Sequence, residues 1–446
     1  MPQFVTRFAP SPTGLLHAGN YRTAVFAYLF ARHTHGTFIL RIEDTDKKRS
    51  QKQYEENIIE TLNWLGLKPD AVHHQSEWVG EHEKILKEFV VRDIAYVSRE
   101  KNENGEERNI IRFRNPNKPI TFTDIVRGDI TTDTTDLGDF VIGKSFTEPV
   151  FHLANVVDDA LQGVTHIIRG EDHIPNTPRQ MLIYHALNAH LPQYVHLPLV
   201  LAPDRSKLSK RKGARAMLEY RDLGYLPEAI LNYLAMLGWH PGTDEEMFTK
   251  EELTQRFTLE QVQKSGAIFD DTKLRWFNRE HLRKVNGEQF TANSKKYFSK
   301  ETLACLEKTG RLEKVLPIIR ERVETFGDIT EMEAADEFAY YIHAPEYAAS
   351  GLLWKKCPDA LLTIHRLKTV REFLMALPEA EWDAAEIKNA LWEFAEREGK
   401  GNVLWPLRFA LTGRDKSPDP FEVAGILGKD ETIKRIDTAV GLLSKE

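Results

Sequence analysis

The sequence predicts an α/β front half, interrupted by a short β-rich insertion and followed by an all-helical C-terminal region. Three observations carry this. The N-terminal residues switch twice between a strand-like and a helix-like hydrophobic period. Between Ser98 and Gly143 the pattern becomes a series of short strands. Beyond Phe290 only helical patterns remain, broken by Pro and Gly.

Taken in order, FVTRFA (Phe4 to Ala9) reads as a short strand. From Leu15 the period changes, and Tyr21, Ala24, Val25, Tyr28 and Leu29 recur at helical spacing in an amphipathic stretch. TFILRIE (Thr37 to Glu43) reads as a second strand, and Ser50 to Leu65 as a helix that Gly66 ends. EKNENGEER is a polar turn, and RNIIRFR, ITFTDIVRGDITTD and DFVIGK read as the strands of a small insertion, 98–143. The α/β pattern resumes with VTHIIRG from Val164. Thr177 and Gln180 have capping-box spacing, Pro178 falls at the first helical position, and a helix should run to about Asn188. YVHLPLVLA reads as one further strand. LEKVLPIIRERVETF, EFLMALP and EIKNALWEFAERE are helical.

The 446 residues exceed one ordinary core, so several domains are expected. A hydrophobic fraction of 41% and a charged fraction of 28% are those of a globular protein. The net charge of −7 argues against non-specific DNA coating, but leaves a folded RNA partner open through local basic patches. No run of eighteen apolar residues and no charged-then-apolar leader occurs, so neither membrane nor secretion is expected and the cytoplasm is the default. Cys305 and Cys357 are isolated, which fits a reducing compartment and predicts no zinc site built on cysteine.

The chemistry starts at APSPTGLLHAGN, Ala9 to Asn20. A strand that ends in a Pro/Ser/Gly loop and enters a helix gathers backbone N–H groups at a helix N-terminus, which favours anions. Gly14 and Gly19 are read as permitting close approach of a ligand, and His17 adds a donor. No GK[ST] follows, so this is not a Walker loop. LRIEDTD ends the next strand in carboxylates, and KLSKRKG, Lys207 to Gly213, is a basic loop able to close over a triphosphate.

These motifs together resemble those of the bacterial glutamyl-tRNA synthetases, a class I aminoacyl-tRNA synthetase family. RFAPSPTGLLHAGN resembles the first signature, with HAGN in the place of HIGH, and KLSKR resembles KMSKS. LRIEDTD, HLANVVDD, IIRGEDHIPNTPRQ, LGWHPGTDEE, KSGAIFDDTKLRWFN and NVLWPLRFALTG also match, in order, across most of the chain.

The resemblance implies a Rossmann-type catalytic domain split over 1–97 and 144–204, with 98–143 as an inserted domain for the tRNA acceptor end. It implies a KMSKS-loop and stem-contact region at 205–290, and a helical anticodon-binding region at 291–446. It implies activation of L-glutamate by ATP with Mg²⁺ to glutamyl-adenylate, then transfer to the 2′-OH of the 3′-terminal adenosine of tRNA(Glu). His17, Lys207 and Lys210 are the implied catalytic residues, and Gly14, Gly19, Asn20 and Ser209 join them around ATP. Arg7, Ala9, Ser11, Glu43, Asn155 and Arg169 are implied around glutamate: the arginines for its carboxylate, Glu43 for its ammonium. Neither zinc, DNA nor a membrane is implied, and the chain is expected to act as a monomer.

Two departures stand out. Phe151 replaces a Tyr common in the family, removing a hydroxyl from the pocket. The insertion is short and lacks cysteine; its Arg112, Arg114 and Arg127 are candidate phosphate contacts. Trp405 reads first as core packing, and neither it nor Arg408 is assigned to a base. The rival readings are glutamylation of the queuosine base of tRNA(Asp), glutaminyl-tRNA synthetase, a small nucleotidyltransferase and a tRNA-binding paralogue that has lost catalysis. The long helical C-terminal region argues against the first and third, and the SPTG stretch against the second. His17, Glu43, Lys207 and Lys210 together argue against the last. Whether tRNA(Gln) is also charged is open at this level.

Overall fold

The computed structural model describes residues 4–101, 107–209 and 215–445. Two compact units form, Met1–His281 and Leu282–Glu446.

The first unit is built on a seven-stranded sheet. Strand β1 (Val5–Phe8) leads to helix α1 (Ala18–His33), then β2 (Thr37–Ile42), α2 (Lys52–Trp64) and β3 (Ala71–His74). Helix α3 (Val79–Val91) follows, then β4 (Ala95–Lys101), β5 (Glu107–Phe113), β6 (Pro119–Asp124), β7 (Gly128–Asp133), β8 (Phe140–Ser145) and β9 (Glu148–Pro149). Helix α4 (Phe151–Leu161), β10 (His166–Gly170), α5 (Thr177–Leu187) and β11 (Gln193–Leu197) complete the sheet layer. The strand order is β3-β2-β1-β10-β11-β6-β7, with neighbours parallel except the β6/β7 hairpin. The expected strand–helix–strand–helix opening is present, and Gly66 ends α2 at φ +67.

Strand β2 is buried on both faces, which is why TFILRI reads as a nearly unbroken apolar run. Helix α1 is buried nearly all round rather than amphipathic. It lies between the sheet and α7 (Pro227–Met236) and α8 (Lys250–Arg256), which follow the short strand β12 (Val200–Leu201) and helix α6 (Met217–Asp222). Phe26, Leu29, Phe38, Leu234, Trp239 and Phe257 share this one core. Each such side chain contributes about 1.5–3 kcal/mol by leaving water. The other face of the sheet carries α4 and α5 on a second cluster with Leu86, Phe113, Ile142 and Ile183.

Three local expectations are corrected. The insertion 98–143 is divided between two sheets. β4, β5, β8 and β9 form a separate four-stranded sheet, whereas the β6/β7 hairpin extends the main sheet through the pairing of Asp124 with Tyr194. YVHLPLVLA is two strands, because Pro198 has no N–H to donate and β12 pairs instead with Ala267–Ile268. Thr177 and Gln180 form no capping box: Asn176 caps α5 without a side-chain bond, and Pro178 is the second helical residue. Their side chains are used elsewhere, as described below.

The second unit is Leu282–Glu446. Among its described residues the named elements are all helices, with long ones at Ala360–Ala376, Ala384–Glu398, Lys400–Thr412 and Lys429–Leu443. Trp405 packs here against Trp354 and Phe409 and donates to the Gly351 carbonyl at 3.0 Å.

Candidate active site

A cavity of 430 Å³ opens at the C-terminal ends of β1 and β10. This is where parallel α/β sheets place their ligands, outside the carboxyl ends of the strands. Arg7, Ala9, Ser11, His17, Gly19, Asn20, Glu43, Asn155, Arg169 and Lys207, all expected from sequence, line it together. Gly14 and Ser209 do not line it. Lys210 lies outside the described residues.

His17 is the N-cap of α1. Its Nδ1 accepts from the Gly19 N–H at 3.1 Å, and the Asn20 side chain accepts from the His17 N–H at 3.1 Å. An Nδ1 that accepts puts the proton of the neutral ring on Nε2. The helix start is therefore partly satisfied by its own imidazole, and Nε2 is the donor. The glycine at 19 serves this fold-back: a Cβ there would meet His17 Cε1 at 3.0 Å. A Cβ on Gly14 would meet open space, so no crowding there demands a glycine. Downstream of the basic loop, the backbone of Ala216 bridges to His17, while Lys207 bridges to Leu201. The described residues that flank the basic loop are thus anchored, Ala216 to His17 on the cavity wall and Lys207 to Leu201. Lys207 Nζ donates to Asp172 at 2.9 Å, another cavity residue.

Behind the cavity lies a buried charge network that motif reading missed. Arg7 Nε and Arg41 Nη1 both donate to Asp159 Oδ1, at 3.0 and 2.7 Å. Arg41 also reaches Glu43 Oε1 at 3.3 Å and Asp158 at 3.8 Å. Asp158 in turn accepts from Gln75 at 2.7 Å and lies 2.6 Å from His82 Nε2. Burial raises the Glu43 carboxyl, with Arg41 pulling against it. Burial also acts to raise Asp159, but Arg41 and Arg7 outweigh it and hold that carboxylate below its ordinary range. A signal was available: Arg41 interrupts a central-strand apolar run, and such a charge must find partners.

Asn155 donates to Glu43 at 2.8 Å and accepts from Gln180 at 3.2 Å. Gln180 Oε1 accepts from Arg169 Nη1 at 2.7 Å, Thr177 Oγ1 from Nη2 at 2.8 Å, and His196 Nε2 from Nε at 3.1 Å. These are the uses of the supposed capping residues. Arg169 is 6% exposed, and among the described residues its bonds run only to neutral acceptors. Burial pushes it down to about 10. Neither neighbouring carboxylate neutralises it, since Glu171 pairs with Arg127 and Asp172 with Lys207.

Phe151 is 38% exposed on the cavity wall, its ring 5.7 Å from that of His173. The three insertion arginines have protein partners: Arg112 with Glu100, Arg114 with Asp93 and the Tyr96 ring, and Arg127 with Glu171. Among the described residues no cluster of His, Cys, Asp or Glu is placed to hold a metal ion, and no helix is long and apolar enough to cross a membrane.

Residues 3–109 and 98–276 match the family described as tRNA synthetases class I (E and Q), catalytic domain, and residues 289–440 match the anticodon binding domain. The glutamate–tRNA ligase of Aquifex aeolicus is 39% identical, covering 98% of this chain and 98% of its own. That of Carboxydothermus hydrogenoformans is 37% identical over 96% of this chain and 98% of its own. The crystal structure of a glutamate tRNA ligase from Elizabethkingia meningosepticum, in complex with its amino acid, superposes with a TM-score of 0.85 at 31% identity, covering 99% of this chain and 100% of that one. The chain belongs to the glutamate–tRNA ligase family, with a class I catalytic domain followed by a helical anticodon-binding domain.

Proposed function

We propose that the 430 Å³ cavity is where this ATP-dependent glutamate–tRNA ligase joins L-glutamate first to AMP and then to tRNA(Glu). The observation that carries the reading is Arg169, a buried cation on the cavity wall whose bonds are to neutral groups. A buried charge is costly until it is paired. The anion that completes Arg169 is the substrate side-chain carboxylate, with Arg7 beside it. N–H groups on Nη1 and Nη2 are left for that contact. Glu43 faces the same cavity and takes the ammonium group, while Asn155, Ser11 and the backbone at Ala9 complete the polar lining.

In the first step an oxygen of the glutamate α-carboxylate attacks the α-phosphorus of ATP, and the bond to pyrophosphate breaks. Positioning and charge balance are what the protein supplies. The His17 Nε2–H donates to the phosphate oxygens as charge builds. Lys207 leaves Asp172 for the β- and γ-phosphates, and Lys210 is assigned the same task from its motif position. Mg²⁺ enters with ATP as part of the co-substrate. In the second step the 2′-OH of the terminal adenosine attacks the acyl carbon and AMP departs. The protein acts as a cytoplasmic monomer.

Aminoacylation with labelled glutamate tests this, using tRNA(Glu), tRNA(Gln) and tRNA(Asp) transcripts in parallel with Lys210→Ala. Charging of tRNA(Glu) that is lost in Lys210→Ala supports the reading. The tRNA(Gln) lane decides whether the enzyme discriminates. Transfer to tRNA(Asp) alone, or no ATP consumption with any transcript, overturns it.

A further inference from the structure

We propose that Asp124 and His196 are positioning residues that aim the Arg169 guanidinium at the substrate carboxylate without neutralising it. The inference rests on the reading of Arg169 given above.

Asp124 ends β6, in the hairpin that joins the main sheet. It is 1% exposed, and His196 on β11 is 0% exposed. Asp124 Oδ1 accepts from the backbone N–H groups of Val126 at 3.0 Å and Arg127 at 2.8 Å. Oδ2 accepts from the His196 backbone N–H at 2.9 Å and lies 2.7 Å from His196 Nδ1. The carboxylate is thus fixed on both oxygens before it meets the ring. An ionised carboxylate only accepts, so the imidazole proton must sit on Nδ1. Nε2 is then a lone pair, and it accepts the Arg169 Nε–H at 3.1 Å. The opposite tautomer, or the imidazolium, would set two N–H groups against each other. Burial lowers the His196 pKa despite the pull of Asp124, which keeps the ring neutral.

The spacing of charge is the useful consequence. A carboxylate bonded directly to Arg169 would pair it and compete with the substrate. An imidazole between them supplies a directional acceptor and keeps the negative charge one ring away. With Thr177 and Gln180 on the Nη atoms, the guanidinium plane is held at three points, all uncharged. Tyr194 supports both partners: its ring stacks on His196 at 6.0 Å and 6°, and lies 5.6 Å from the Arg169 carbon Cζ. A fixed, unpaired cation prefers an anionic side chain to its neutral amide. The relay therefore also serves selection of glutamate over glutamine.

The test is steady-state charging of tRNA(Glu) by the full-length chain, with glutamate and ATP varied separately. His196→Phe removes the acceptor and is expected to raise the glutamate KM by about tenfold or more, with the ATP KM unchanged. His196→Gln can accept from Arg169 and donate to Asp124, and should restore most of the loss. Asp124→Asn removes the charge that holds the ring proton on Nδ1 and sets an amide N–H among backbone N–H groups that the carboxylate accepted, and should raise the glutamate KM while lowering the preference for glutamate over glutamine. It stands in where His196→Phe fails to fold. Equal losses in His196→Phe and His196→Gln, or a fall in kcat with both KM values unchanged, assign the pair a purely structural role and overturn the proposal. Arg169→Ala is the control: if its glutamate KM is unchanged, the reading of Arg169 itself is what fails.

Discussion

Arg7 and Arg41 meet on a single oxygen, Asp159 Oδ1, at 3.0 and 2.7 Å. One carboxylate is therefore shared by two buried guanidinium groups, Arg7 on the cavity wall and Arg41 behind it, and Glu43 and Asp158 also face Arg41. Asp159→Asn keeps the shape and removes the charge. Breaking a buried pair from one side costs about 3–5 kcal/mol, because the remaining charge stays buried. Urea denaturation should show a loss of that size, and the glutamate KM should rise in whatever folded enzyme remains. A variant with wild-type stability would show that Glu43 and Asp158 suffice for Arg41.

His17 caps α1 through Nδ1, and the proposed mechanism adds donation through Nε2. Asparagine is a good N-cap residue and lacks the second nitrogen. His17→Asn is expected to keep stability within about 1 kcal/mol. Loss of one transition-state donor typically costs about 10²–10³ in rate, and adenylate formation should fall accordingly. Pre-steady-state pyrophosphate release separates the two. A large drop in the urea midpoint with little change in rate would reverse the assignment.

Lys207 and Asp172 form a pair whose side chains are 58% and 48% exposed. Exposed pairs are worth about 0–1 kcal/mol, so the lysine can leave Asp172 for phosphate at little cost. Asp172→Asn should leave the melting temperature within a degree or two of wild type on the order of that small energy. Lys207→Ala should weaken ATP use at unchanged stability. Equal loss of ATP affinity in both variants would mean that the pair itself, rather than the freed lysine, shapes the nucleotide site.

Much of this arrangement is local in sequence and was legible there. β1, α1, β2 and α2 follow from periodicity, and HAGN falls at the strand-to-helix crossover. Arg7, Glu43 and Arg169 lie at strand ends, so a resemblance at motif level suffices to bring them together. Asp124 and His196 were not legible, because they meet only through the parallel pairing of β6 with β11. That pairing joins a segment read as an insertion to the main sheet, and no local pattern encodes it. Thr177 and Gln180 show the opposite failure. Their spacing satisfies a capping rule, yet a buried guanidinium is the stronger claimant for both side chains. A charge within an apolar strand, as at Arg41, is the one signal that sequence reading could have followed further.

Acid should destabilise the first unit in a defined window. His166 is 8% exposed, with its ring 4.7 Å from Phe30 and 5.4 Å from Phe4, and burial pushes it down to about 4. His152 is likewise pushed down to about 4, by burial and then by Arg179 and Arg169. Both rings are neutral in the fold and titrate near 6.5 in the unfolded chain. Below that pH the unfolded chain binds more protons, so stability falls as pH drops. The contribution is fully present above 6.5 and is lost progressively as pH approaches about 4. The urea midpoint should therefore hold steady between about pH 7 and 8 and decline between about 6.5 and 5. His166→Phe keeps the aromatic packing and removes one titrating group, so its decline over the same interval should be shallower. An identical slope in the variant would place the acid sensitivity elsewhere, in the carboxylates that Arg7 and Arg41 hold ionised.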